Sequence, residues 1–167
     1  VKWYTNTKCN SITIKNSVIT ACSGKGAAAI GTGVGYGGNG QTGPTIGSIV
    51  IENSTIYANL LPLNEYGANG AYGACIGLGV RLWIGKSACG EIRITTDNET
   101  SFMNNLQRSA NNTNINGRDG YKIGYGDILW DPDRPNTTWC ARSFSGVWIN
   151  NTRKDTGDDR GKGYSGQ

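Results

Sequence analysis

A short glycine motif returns at a nearly constant interval along this chain of 167 residues, and this repeat limits the folds open to it more than any other feature. The motif reads AAIGTG at 28–33, ACIGLG at 74–79 and YKIGYG at 121–126. Its Ile-Gly pairs begin at Ile30, Ile76 and Ile123, which are 46 and 47 residues apart. A fixed period of this length is typical of chains that stack copies of one structural unit.

A second segment of each repeat has the alternating pattern of a β-strand. CNSITIKNSVITA (9–21) aligns without a gap with IGSIVIENSTIYA (46–58), a third copy begins as CGEIRITTDNETSF (89–102), and a degenerate fourth is FSGVWINNT (144–152). Aliphatic residues recur at every second position, as in Ile12 and Ile14. A period of two places these side chains on one face of a strand.

One such unit cannot bury its own apolar face, whereas copies stacked about 4.8 Å apart can. We therefore predict an all-β fold, a parallel β-helix or β-solenoid of about three to four coils with long loop insertions at 60–73 and 103–120. Equivalent isoleucines should form interior columns, one of Ile30, Ile76 and Ile123 and another of Ile12, Ile49 and Ile92. The predicted solenoid domain spans 1–152, with repeats near 9–45, 46–88 and 89–139 and a degenerate repeat at 140–152, and a polar tail follows at 153–167.

The glycine-rich stretch AAAIGTGVGYGGNG, which contains the first motif, resembles a phosphate-binding loop at first sight. A nucleotide site would also need a following helix, a lysine and an acidic residue for the ribose, and none of these accompanies the stretch. Sharp corners of a stacked chain account for its glycines and for their two later copies.

Composition excludes several function classes. The net charge is +4 and the basic residues are scattered, so we expect no nucleic-acid partner. No apolar run approaches the length of a membrane span, so we expect no membrane insertion. The chain has no histidine, and its five cysteines form no C-x-x-C motif. Histidine-based catalysis and zinc binding are therefore disfavoured, and we predict no metal, no cofactor and no enzymatic activity.

One segment concentrates acidic and aromatic side chains. Tyr125 and the residues after it supply indole and phenol faces for sugar rings and polar groups for hydroxyls. The candidate carbohydrate site consists of Tyr125, Trp130, Asp131, Asp133, Arg134 and Trp139. The same segment also fits Asp-Pro turns, tryptophans that cap the last repeat, a calcium loop, or catalysis by the carboxylates of Asp127, Asp131 and Asp133.

The asparagines and cysteines indicate whether the protein is located inside or outside the cell. Five Asn-x-Ser/Thr sequons suit an extracellular protein and are candidate glycosylation sites: Asn53, Asn98, Asn111, Asn136 and Asn150. Cys9 and Cys89 share a column, two coils apart, which is too far for a disulfide, so we expect both to be buried as small apolar side chains. Cys75 and Cys89, on either side of a loop, are the pair that could bridge.

Taken together, AAIGTG, ACIGLG and YKIGYG with SACGEIRI resemble a glycine-rich repeat of secreted and cell-surface bacterial proteins. The resemblance covers about residues 9–126; Ile46 replaces the usual cysteine, and 127–167 do not follow the pattern. It implies an extracellular, cell-surface setting and brings no catalytic residues. We expect a non-catalytic structural or adhesive module, part of a longer surface protein or fibre, that stacks on other copies. A carbohydrate-binding module with glycan partners and a polysaccharide-degrading enzyme are the alternatives.

Overall fold

A computed structural model describes residues 7–37, 42–64, 70–83, 86–108, 117–118, 120–129, 144–158 and 161–166. Within these ranges the protein is mostly β, with seventeen strands and one short helix. Most strand pairs are parallel, which confirms the all-β prediction and its parallel sheets.

The strands follow one another in sets, each of which contributes at least one strand to every sheet; we call such a set a round. The first round comprises β1 (Lys8–Lys15), β2 (Val18–Ser23), β3 (Ile30–Gly31) and β4 (Gly35–Gly37). The second comprises β5 (Thr42–Glu52), β6 (Thr55–Leu60), β7 (Ile76–Gly77) and β8 (Arg81–Trp83). The third comprises β9 (Lys86–Thr95), the helix α1 (Glu99–Asn104), β10 (Leu106–Gln107), β11 (Gly117–Arg118), β12 (Ile123–Gly124) and β13 (Ile128–Leu129). The last strands are β14 (Phe144–Ile149), β15 (Thr152–Arg153), β16 (Thr156–Asp158) and β17 (Gly161–Tyr164).

Four sheets result, and each takes its neighbours from successive rounds. Their strand orders are β1-β5-β9-β14-β15, β10-β6-β2, β11-β13-β8-β4 and β16-β17-β12-β7-β3. Every sheet has a strand of the first round at one edge, so these four edges lie at the same end of the molecule. The apolar core lies between them.

The isoleucine columns predicted from the repeat are confirmed by the strand register. Ile76 pairs with Ile30 on one side and with Ile123 on the other. Ile49 likewise lies between Ile12 and Ile92. The column continues to Val147, so FSGVWI (144–149) is a fourth strand of this sheet. Ile49, Ile76, Ile92 and Val147 are fully buried, because each is covered by the equivalent side chain of the neighbouring round.

Glycine is required where the rounds approach most closely. Gly31 and Gly77, the first glycines of their motifs, have φ of 148° and 128°. A Cβ atom on Gly31 would overlap the backbone carbonyl of Gly77, and one on Gly77 would overlap that of Gly124. Residues with side chains therefore cannot occupy these stacked positions without moving the backbone.

The third round departs from the first two at the corner after β9. Two residues connect β1 to β2 and β5 to β6, whereas residues 96–105 connect β9 to β10 and include α1. Asn98 caps this helix by accepting a 2.8 Å hydrogen bond from the Ser101 N–H. Phe102 and Met103 are buried, which fixes the helix against the core.

The C-terminal residues do not form the expected polar tail. β15 pairs antiparallel with β14, and β16 and β17 form a hairpin that pairs antiparallel with β12. The Tyr164 hydroxyl donates a 2.6 Å hydrogen bond to Glu99, whose carboxylate also lies 3.0 Å from Lys154 Nζ. The segment is polar in sequence, but backbone pairing and this cluster hold it in place.

Candidate functional site

The end of the molecule formed by the first round is open. Strands β1, β2, β3 and β4 lie at the edges of their four sheets, without a further strand among the described residues. Edge strands present unpaired N–H and C=O groups that can pair with another chain. We define the open face as these edges together with the inward side chains of Ile12, Ile14, Ile19 and Ala21.

The open face exposes side chains whose counterparts are buried in the next round. Ile14 and Ile19 are partly exposed. Their partners in register, Ile51 and Ile56, are both 0% exposed. In the described residues β5 and β6 have a neighbouring strand on both sides, whereas β1 and β2 have one on a single side. The open face is therefore core surface that no described strand covers.

The opposite end is closed. Three of the four sheets end there in antiparallel strands, namely β15, β11 and the hairpin of β16 and β17. An antiparallel edge cannot continue a parallel stack in the same register. Val147 and Ile149, which would otherwise form the last apolar layer, are both 0% exposed. Thus one end of the molecule presents edge strands of parallel sheets with partly exposed apolar side chains, and at the other end three of the four sheets finish in antiparallel strands.

The cysteines correct two expectations. All four in the described residues are free, so Cys75 and Cys89 do not form the bridge that was possible from the sequence. Both of these are buried, and desolvation raises the pKa of each thiol to about 12. Cys9 is exposed rather than buried, because it lies in β1 on the edge of its sheet, and Cys22 in β2 is also exposed. Cys140 lies outside the described residues.

Most of the candidate carbohydrate residues also lie outside the described part of the chain: Trp130, Asp131, Asp133, Arg134 and Trp139. Tyr125 lies within it and is only 2% exposed. Its ring packs in the core at 5.4 Å from that of Phe144. A ring so buried has no face for a sugar, because its neighbours already cover it.

Asp127, a candidate for carboxylate chemistry, is buried and forms contacts that hold the fold together. Its side chain is fully buried and forms an ion pair with Arg108, whose side chain is 5% exposed. It also accepts hydrogen bonds from the backbone N–H groups of Tyr72 at 2.9 Å and Gly120 at 2.7 Å. These contacts join three segments of the chain, and they leave the carboxylate without access to a substrate.

Three of the five sequon asparagines are described, and all three are exposed: Asn53, Asn98 and Asn150. Asn53 lies in the corner between β5 and β6 and Asn150 in the hairpin turn between β14 and β15, with φ of 46° and 49°, which asparagine tolerates better than most residues. The Asn150 amide exchanges two hydrogen bonds with the backbone of Thr96, of 3.0 and 2.9 Å. Asn111 and Asn136 lie outside the described residues.

No family model, curated protein or solved structure matches the chain. In the described ranges no three acidic or cysteine side chains are grouped so as to hold a metal ion. The described residues also contain no helix with the length and apolar character of a membrane span. The open face is thus the candidate functional site, because it is an apolar surface that no described strand covers.

Proposed function

We propose that the chain is a β-solenoid module with a structural and adhesive role outside the cell, and that two copies join open face to open face. The open face carries this proposal, because Ile14 and Ile19 are partly exposed where their counterparts are fully buried. Covering them with a second apolar surface would supply the burial that the later rounds already have. The module has no catalytic role in this proposal.

The closed opposite end supports a pair rather than a fibre. A fibre would require the last round of one copy to pair with the first round of the next. Strands β15 and β17 instead pair antiparallel with their neighbours, which ends the parallel stack. Among the described strands the other end leaves one parallel edge, the two-residue β10, whereas the open face offers four, so the contact uses the open face twice and closes as a two-fold dimer.

The extracellular setting has two supports. One is the resemblance of the Ile-Gly-x-Gly motifs to repeats of secreted bacterial proteins. The other is the exposure of the three described sequon asparagines, which makes each accessible for glycan attachment. The enzyme alternative is weaker, because Asp127 is held in a buried ion pair.

Sedimentation velocity tests the dimer between about 1 μM and 1 mM protein, a range that covers association free energies of about −8 to −4 kcal/mol. We expect a shift from one to two copies as the concentration rises. Ile19→Lys places a charge on the open face and should keep the protein monomeric. Thr20→Lys is the matched control, because Thr20 is the exposed neighbour on the outer surface and adds the same charge.

The reactivity of Cys9 gives an independent readout of the same contact. This exposed thiol lies in β1 in register with Ile46, which is 5% exposed in the next round, so it should react more slowly with a thiol reagent when the open face is covered. A wild-type protein that stays monomeric over the whole range contradicts the proposal. So does a dimer that Ile19→Lys leaves intact and that does not protect Cys9.

A further inference from the structure

A polar cleft lies at the corner where the third round departs from the second. One wall is the short connection and strand start that contains Asn53 and Tyr57, and the other is the long connection that contains Asp97, Ser101 and Asn105. The cleft has a volume of about 380 Å³. This lies within the range of about 300–1,000 Å³ found for small-ligand sites. At the corresponding corner of the first round, two residues connect β1 to β2 without an inserted helix.

The walls are held by groups that do not face a ligand. Thr96 is fixed by its two hydrogen bonds with the Asn150 amide. Asn98 uses its side-chain oxygen to cap α1, and the Ser54 hydroxyl donates to the Glu52 carbonyl at 2.8 Å. The corner therefore keeps its shape without help from the remaining polar side chains of the cleft.

Those remaining side chains are available. Within the part of the chain that the structure describes, the lining includes six polar side chains with no hydrogen bond or ion pair: Asn53, Thr55, Tyr57, Asp97, Ser101 and Asn105. They offer amides, hydroxyls and one carboxylate, which together can both donate to and accept from hydroxyl groups. The Tyr57 ring is 46% exposed and provides an apolar face beside them.

We propose that this corner cleft binds a neutral carbohydrate. Adjacent sugar hydroxyls match amide and carboxylate oxygens, and the C–H face of a sugar ring packs on an exposed aromatic ring. Asp97 is the only charged residue among the described residues of the lining. A phosphate or an acidic sugar would meet this carboxylate without a compensating cation, so the charge selects against anions. The site is separate from the open face, with which it shares no residue.

The test uses the full chain produced without N-glycosylation, because a glycan on Asn53 would begin inside the cleft. The probes are D-galactose, D-mannose and N-acetyl-D-glucosamine, with N-acetylneuraminic acid as the acidic sugar, each followed by saturation-transfer NMR and titration. We expect at least one neutral sugar to bind more tightly than the acidic one. Tyr57→Ala should weaken that binding by at least about tenfold, whereas Tyr57→Phe, which keeps the ring, should stay within about threefold.

Two further variants locate the site. Asp97→Asn should weaken neutral-sugar binding by about fivefold or more, because a charge-assisted hydrogen bond becomes a neutral one. Thr20→Ala is the control, since Thr20 pairs with Tyr57 in the sheet but lies outside the cleft. An unchanged thermal midpoint in each variant shows that the fold is intact. The proposal is overturned if no neutral sugar binds, or if binding survives both Tyr57→Ala and Asp97→Asn. Either result would leave the dimer proposal unaffected.

Discussion

Replacing Asp127 by alanine should destabilise the protein more than any change to a surface ion pair. The Asp127 carboxylate is fully buried and accepts hydrogen bonds from Tyr72, Gly120 and Arg108. The Arg108 side chain is 5% exposed, and its Nε donates to the Gly73 carbonyl at 3.1 Å. The variant would therefore leave a buried guanidinium without its counter-ion and two backbone N–H groups without their acceptor.

The expected cost follows from this environment. Removing one partner of a buried ion pair costs about 3–5 kcal/mol, because the other charge stays desolvated. Domains are stable by about 5–15 kcal/mol in total, so Asp127→Ala should remove about a fifth or more of the stability. With a urea dependence of about 1–3 kcal/mol per molar, the unfolding midpoint should fall by more than about 1 M.

Urea unfolding followed by circular dichroism measures this shift, and Lys15→Ala is the control. Lys15 and Glu52 form a 2.9 Å ion pair whose side chains are 52% and 38% exposed. Solvent screens such a pair, so its loss should change stability by at most about 1 kcal/mol. In a double-mutant cycle, Asp127→Ala with Arg108→Ala should cost at least about 1 kcal/mol less than the sum of the single changes. Additive costs, or an Asp127→Ala cost below about 1 kcal/mol, would refute this account of the pair.

Three more outcomes are expected. In urea titrations, Gly77→Ala should cost several kcal/mol of stability or prevent folding, because its Cβ would overlap the Gly124 backbone. Gly33→Ala should change stability by about 0.5 kcal/mol or less, since no atom lies within 4 Å of the added carbon. Equal effects of the two variants would contradict the close-approach argument. In a Cys140→Ser background, a thiol reagent at pH 8 should modify the exposed Cys9 and Cys22 in the folded protein. The buried Cys75 and Cys89 should react only after unfolding. Rapid labelling of all four would contradict this prediction. Burial raises the Glu99 pKa, but hydrogen bonds from Tyr164 and Lys154 outweigh it and lower the pKa in the folded state. The stability that Glu99 contributes is therefore fully present above its unfolded pKa and is lost as the pH falls through its folded pKa. Tyr164→Phe should flatten the fall in thermal midpoint from pH 5 to pH 3, and an unchanged slope would contradict this role.

The sequence predicted the repeated part of the fold well, because the information there is redundant. Ile12, Ile49 and Ile92 occur at the same place in three aligned copies, and a period of two leaves one choice of inward face. Stacking the copies then fixes which residues are neighbours. The register of these isoleucines could be read without knowing any contact in advance.

The parts that depart from the repeat could not be predicted in the same way. The helix α1 has six residues, too few for a helical period to be visible, and it is held by the burial of Phe102 and Met103. The β16–β17 hairpin has a polar sequence that resembles a disordered tail, yet its strands pair with the edge that β12 would otherwise present. The corner cleft was missed for the same reason, since it exists only where α1 is inserted.

This contrast bears on where function resides in the molecule. A round that repeats its neighbour offers the same surface at every level, so it can build a scaffold but cannot single out one position for binding. Position is specified only where a round differs: the first round has no covering strand among the described residues, and the third contains α1. Ile19 on the open face and Tyr57 in the cleft belong to adjacent strands of one sheet, yet their exposure arises from different departures. Ile19→Lys should therefore abolish pairing of copies without weakening sugar binding, and Tyr57→Ala should do the reverse.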